Sequence, residues 1–223
     1  MGEIFGLALA IAASPFPVIP AILLLFTAQP RATSLAFLGG WLAGVGAVAG
    51  IFAILADVLG SSGASPIWLS WVRVAAGATL VVYGVRQWLA RGASDDLPGW
   101  MRSIQDATPR KGVRLALMLS VANPKVLLLA AAAGLDIGAA EATAWGVLVT
   151  TLLFTMVASI SVAVPVLSYA LVGARVLPPL EKARDWLTRN NDAVMAVVIT
   201  AIGLALLKNG LSGLWPRRPP ISA

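Results

Sequence analysis

Six runs of about 20 predominantly apolar residues fill most of this 223-residue chain, and few architectures accommodate that pattern. The runs cover residues 4–27, 33–56, 66–89, 113–135, 142–172 and 193–214. A helix rises about 1.5 Å per residue, so each run suits a hydrocarbon core about 30 Å thick. The expected fold is an all-α integral membrane protein with six transmembrane helices. Links are short except for residues 90–112 and 173–192, which leaves no room for a separate soluble domain.

Composition narrows the chemistry. The chain is 59% hydrophobic and 12% charged, with no cysteine and no histidine. Disulfides, thiol relays, thiolate or imidazole metal sites and Ser-His-Asp catalysis are excluded together, and no cofactor or metal is expected. No G-x-x-x-x-G-K-[ST] phosphate loop is present, and no cluster of carboxylates falls at one depth, so an enzyme is not expected. Lys+Arg outnumber Asp+Glu by 16 to 10, but most of the basic residues lie in links between apolar runs or near the ends of those runs. They are read as a topology signal and not as a nucleic-acid surface. With the N-terminus outside, the inner links collect Arg31, six residues between Arg86 and Arg114, and four between Arg175 and Arg189. Both termini are therefore expected outside. The opening "MGEIF" has no basic n-region and leads straight into the first span, so no cleavable signal is expected. The Pro-rich tail, residues 215–223, is expected to be unstructured. Apolar residues at helical spacing in the two longer links (Trp100, Met101 and Ile104; Leu177, Leu180, Trp186 and Leu187) fit short interfacial helices or ordered loop packing equally well.

The spans repeat weakly. "ASPFP" in the first and "ANPKV" in the fourth place Ser14-Pro15 and Asn123-Pro124 at equivalent depths, 109 residues apart. Gly77 and Gly84 in the third span echo Gly203 and Gly210 in the sixth. Three spans per unit make the second unit enter the membrane in the opposite direction. This predicts two inverted three-helix repeats, 1–90 and 113–214, joined by an inner linker at 91–112.

A small polar residue followed by proline is a helix N-cap with Pro at N1, and the proline disrupts the preceding turn. The first and fourth helices should therefore break at mid-membrane, with Pro17 and Pro20 widening the first break. Each half-helix would aim free N–H groups and its positive dipole end toward the bilayer centre. Lys125 comes directly after the second break. A charge at that depth costs about 2.5–3.5 kcal/mol on the insertion scale, and no acidic residue lies at equivalent depth. Ser14, Pro15, Pro17, Asn123, Pro124 and Lys125 are thus the candidate site for an anionic group of the substrate. The alternative is that Lys125 snorkels to the inner surface or bonds broken-helix carbonyls.

These residues carry a resemblance. "LSVANPKVLLL", the proline break in the first span and the six-span layout with a basic central link resemble the actinobacterial glycolipid-addressing, or sulfolipid-addressing, proteins of the LysE exporter superfamily. The resemblance spans nearly the whole chain. It implies outward transport across a bacterial plasma membrane, of envelope lipids in the lipid-addressing branch and of amino acids or small ions elsewhere. "SPFP" stands where the amino-acid exporters usually show Pro-Gly-Pro, which makes that branch the poorer fit.

Other polar positions admit two uses. Asp57, Arg73, Asp136 and Glu141 lie toward the outer ends of their spans, where they could gate or couple transport to protons; an Asp57–Arg73 pair could equally be structural. Thr150, Thr151, Thr155, Ser159 and Ser161 fit a pathway lining or hydroxyls bonded back to their own helix. Gly40 with Gly44, and Gly46 with Gly50, allow close helix packing inside the bundle or across a homodimer. Trp68, Trp71, Trp88, Trp145 and Trp215 read as an interfacial aromatic belt. The expected function is a secondary transporter moving an anionic-headgroup envelope lipid among its membrane-lipid partners. The alternatives are an exporter of amino acids or other small solutes, and a non-transporting scaffold for envelope-lipid synthesis machinery.

Overall fold

The structure is a computed structural model that describes residues 2–58 and 107–190, with parts of 74–89 and 193–211; Asp57 and Val58 are described for backbone alone. Arg73, the linker at 91–106 with Trp100, Met101 and Ile104, and the tail at 215–223 lie outside the described residues.

Local chemistry sets where the helices start. The first expected span is α1 (Gly2–Ala12) followed by α2 (Pro15–Leu23), which a 3₁₀ turn extends through Leu24–Phe26. Thr27 closes that end by donating its hydroxyl to the Leu24 carbonyl at 2.8 Å. Helix α3 (Pro30–Val58) covers the second expected span. Thr108 caps α4 (Pro109–Val121), Asn123 caps α5 (Pro124–Ala140), and Thr143 caps α6 (Ala144–Ala158). In each case a side-chain oxygen accepts a backbone N–H of the first turn, and proline at N1 of α4 and α5 forfeits no bond that the helix would have made. Helix α7 (Ile160–Val172), a 3₁₀ turn (Gly173–Val176) and α8 (Leu177–Arg189) come next. Among the described residues there is no strand.

By length and composition, Pro30–Ala56 and Ile160–Arg189 are long and apolar enough to cross a membrane. Two bent pairs pass as well when each is taken together: Gly2–Ala12 with Pro15–Phe26 at 46°, and Pro109–Val121 with Pro124–Ala140 at 69°. The surface agrees with this composition. Helix α6 exposes Leu152 and Met156 while burying Thr151 and Thr155, an inversion that water would penalise and lipid favours. This is a membrane protein.

The stretch Ile160–Arg189 is helical but not straight. Ile160 and Leu187 line the same groove, although on one straight rod they would stand about 40 Å apart at 1.5 Å per residue. The reversal falls at Gly173, whose φ of 76° is closed to most side chains, and α8 doubles back toward α2 and the start of α7. Leu177 and Leu180 thus belong to a helix, as one of the two expectations for that link had it. The expected fifth span, residues 142–172, appears as α6 and α7 parted at Ser159. Pro165 inside α7 cannot donate to the Ser161 carbonyl, which loosens the turn just after this break.

The core forms around α3, with Phe37, Trp41, Val45, Ala49 and Ala53 fully buried. Helices α4 and α5 pack against α3 one after the other along its length. A Cβ on Gly40 would stand 2.9 Å from the Val113 carbonyl oxygen, and one on Gly44 would meet Ser120. Farther along, Cβ atoms on Gly134 and Gly138 would meet the Ala49 and Ala53 carbonyl oxygens. Gly40 and Gly44 therefore serve packing inside the bundle, and Gly50 faces open space. Helix α1 packs on α5 and α6, and α2 on α7 and α8.

Candidate functional site: two interrupted helices

Each break is made by its own residues. At the first, the Ser14 N–H donates to the Ile11 carbonyl at 3.0 Å and Ser14 then turns extended (φ −75°, ψ 123°), so that Pro15 opens α2. Ser14, Pro15 and Pro17 are all buried. Pro20 lies inside α2, also buried.

At the second break, Ala122 ends α4 through a 2.7 Å bond to the Met118 carbonyl, and Asn123 is extended (φ −79°, ψ 109°). The Asn123 Oδ1 accepts the Lys125 N–H at 3.0 Å, and the Asn123 carbonyl accepts the Leu127 N–H at 2.9 Å. Pro124 is exposed at N1, Asn123 is half-buried, and Lys125 is only 9% exposed. Its Nζ is buried and has no hydrogen-bond partner among the described residues. A buried cation without a partner is costly in an apolar interior, so this amine at a helix N-terminus is suited to meeting an anion.

Asn123, Pro124 and Lys125 form one local unit, and Ser14, Pro15 and Pro17 another; α1, which precedes the first break, packs on α5, which starts at the second. Two open grooves stand out among the described residues, and neither is lined by any of these six residues. One, of about 530 Å³, lies by Gln29, Arg31, Tyr169 and Gly173. The other, of about 410 Å³, lies between α2, α7 and α8 and is apolar but for Ser161.

Among the residues expected to gate or couple, Glu141 is the C-cap of α5 and accepts the Thr150 hydroxyl at 2.8 Å. Asp136 is half-buried on α5 and engaged with neighbouring groups. The Asp57 side chain and Arg73 fall outside the described residues, and with them the expected pair. Sequence reasoning missed the break at Ser159, for which Pro165 was the available signal, and the groove under α8, whose wall residues Leu180, Ala183 and Leu187 stand at helical spacing.

The chain matches no curated protein and no solved structure. A family model does match, over residues 4–212, and so covers α1 to α8 with both interrupted helices. That model is described as Sap, sulfolipid-1-addressing protein, and the chain belongs to this family, SfLAP.

Proposed function

We propose that the chain is a secondary transporter that moves an envelope lipid with an anionic headgroup across the bacterial plasma membrane, by alternating access between two inverted three-helix halves. One observation carries the reading: Lys125, an amine at the start of a half-helix, buried and unpartnered among the described residues. A bound sulfate, phosphate or carboxylate would complete its coordination, with the Asn123-capped helix end adding its dipole. The family's description names a sulfolipid, whose headgroup is such an anion.

Packing supports related halves. The first span lies along the fifth (α1 on α6, α2 on α7), the fourth lies along the second (α4 and α5 on α3), and a Cβ on Gly84 would meet Thr200 across the third and sixth. Exchanging the halves turns the first pairing into the second and returns the third to itself, as a two-fold relation between repeats requires. The apolar groove between α2, α7 and α8 favours a lipid over a small polar solute, which would need more polar ligands.

The test is headgroup translocation of a fluorescent anionic lipid in proteoliposomes. Lys125→Met removes a charge-assisted contact worth about 1.5–3 kcal/mol and should slow translocation roughly tenfold or more while the protein stays folded. Unchanged translocation, or amino-acid counterflow without lipid movement, contradicts the reading.

A further inference from the structure

The face of α6 turned away from lipid carries a file of hydroxyls that the Lys125 site does not use. Thr151, Thr155 and Ser159 recur every four residues and are 8%, 5% and 1% exposed. The Thr151 and Ser159 hydroxyls are buried with no hydrogen-bond partner among the described residues. The Thr155 hydroxyl donates to the Thr151 carbonyl at 2.8 Å, which leaves its oxygen free to accept, and that oxygen faces the notch at Gly46, where a Cβ would lie 3.3 Å away. At one end of the file, Thr150 donates to Glu141 at 2.8 Å. At the other, past the Ser159 break, the Ser161 hydroxyl, also without a partner among the described residues, lines the groove between α2, α7 and α8.

Buried hydroxyls in an apolar protein are normally satisfied, and leaving several unsatisfied on one stripe is expensive. Side chains four apart on a helix have Cβ atoms about 5–6 Å apart, too far for direct hydroxyl contact and close enough for one bridging water. From Thr151 to Ser159 the stripe climbs about 12 Å, a large part of half a bilayer core about 30 Å thick. The helices packed on α6 bring other charges: Glu3 and Arg31 are exposed at helix ends, and Lys125 and Asp136 belong to α5. Asp57 on α3 has its side chain outside the described residues. Glu141 is the carboxylate that the geometry ties to an α6 hydroxyl.

We propose that Glu141, Thr150, Thr151, Thr155 and Ser159 form a hydrated proton path that runs from the end of α5 to the break between α6 and α7. A proton that Glu141 takes up from water at the exposed end of α5 passes to a water held at Thr151; each water in turn releases one of its own protons to the next, and the last releases one at the break beside Ser159. Charge moves while every oxygen stays in place. Thr155 takes part by accepting, because its hydrogen is committed to the Thr151 carbonyl. The path holds whichever substrate the chain moves, so its failure and that of the lipid reading are separable.

The chain has no cysteine, so single-cysteine variants report hydration directly. Thiols react with a charged methanethiosulfonate only where water supports the thiolate. Thr151→Cys, Thr155→Cys and Ser159→Cys in the reconstituted protein should be modified, whereas Leu152→Cys and Met156→Cys, on the lipid-facing side of the same helix, should not. Inertness of all five, or modification of all five alike, overturns the path. Vesicles loaded with a pH dye and driven by a potassium diffusion potential supply the second readout. Glu141→Gln and Thr151→Val should each lose most of the protein-dependent acidification. Rates equal to those of the unaltered protein would overturn the proton role even if the stripe is wet.

Discussion

At Ser14 the chain bends by 46° into a helix opened by two buried prolines; at Asn123 it bends by 69° into a helix whose second residue is a buried lysine. Both interruptions set a small polar residue before proline, but only at the second does that side chain accept a first-turn N–H, and the residue after the proline differs. Phe16 stands where the second site has Lys125, 109 residues on. Pro15, Pro17, Ile19 and Pro20 fill the surroundings of the first break with apolar rings and branches. The second leaves an amine with no partner among the described residues. A break is thus a backbone device, and the side chain set just beyond it decides whether the break becomes a binding site.

The two broken spans are also held differently. Helix α5 is pressed against the α3 backbone at Gly134 and Gly138, whereas a Cβ on Gly6 of α1 would meet nothing within 4 Å. Substitutions at three positions sharpen this contrast, each read by unfolding of the detergent-solubilised protein. Gly134→Ala drives a methyl group into the Ala49 carbonyl, backbone against backbone, and should destabilise by about 1–3 kcal/mol. A neutral result would mean that the α3–α5 contact is looser than described. Asn123→Ala removes the cap on the Lys125 N–H and should cost about 1 kcal/mol, while Asn123→Ser, a competent cap, should recover most of it. Equal losses in both would assign the Asn123 side chain a different task. Gly6→Ala should stabilise by up to about 1 kcal/mol, since alanine is the better helix former and space is open. A loss there would place another helix against α1.

How much of this was legible depended on whether the cause was local. Ser14-Pro15 and Asn123-Pro124 write their own backbone geometry, so both breaks could be read from the residues that make them. The break at Ser159 has a remote partner in Pro165, six residues farther on, and passed for continuous helix. Gly173 looked like an ordinary loop glycine, and only its positive φ turns α8 back onto the bundle. The Glu141–Thr150 bond crosses a turn and joins two helices, so no single-helix periodicity points to it. Gly134 and Gly138 carried the same four-residue spacing as Gly40 and Gly44, yet which stripe meets which neighbour is a tertiary fact.

The central claim is that the Lys125 amine after the second break, unpartnered among the described residues, receives the headgroup of an anionic lipid. Native mass spectrometry of the purified protein beside Lys125→Met tests it most directly. The account predicts a stoichiometric anionic lipid on the unaltered chain that survives delipidation and is absent from the variant. Equal lipid occupancy in both, or no retained lipid alongside stabilisation by an amino acid, would contradict it.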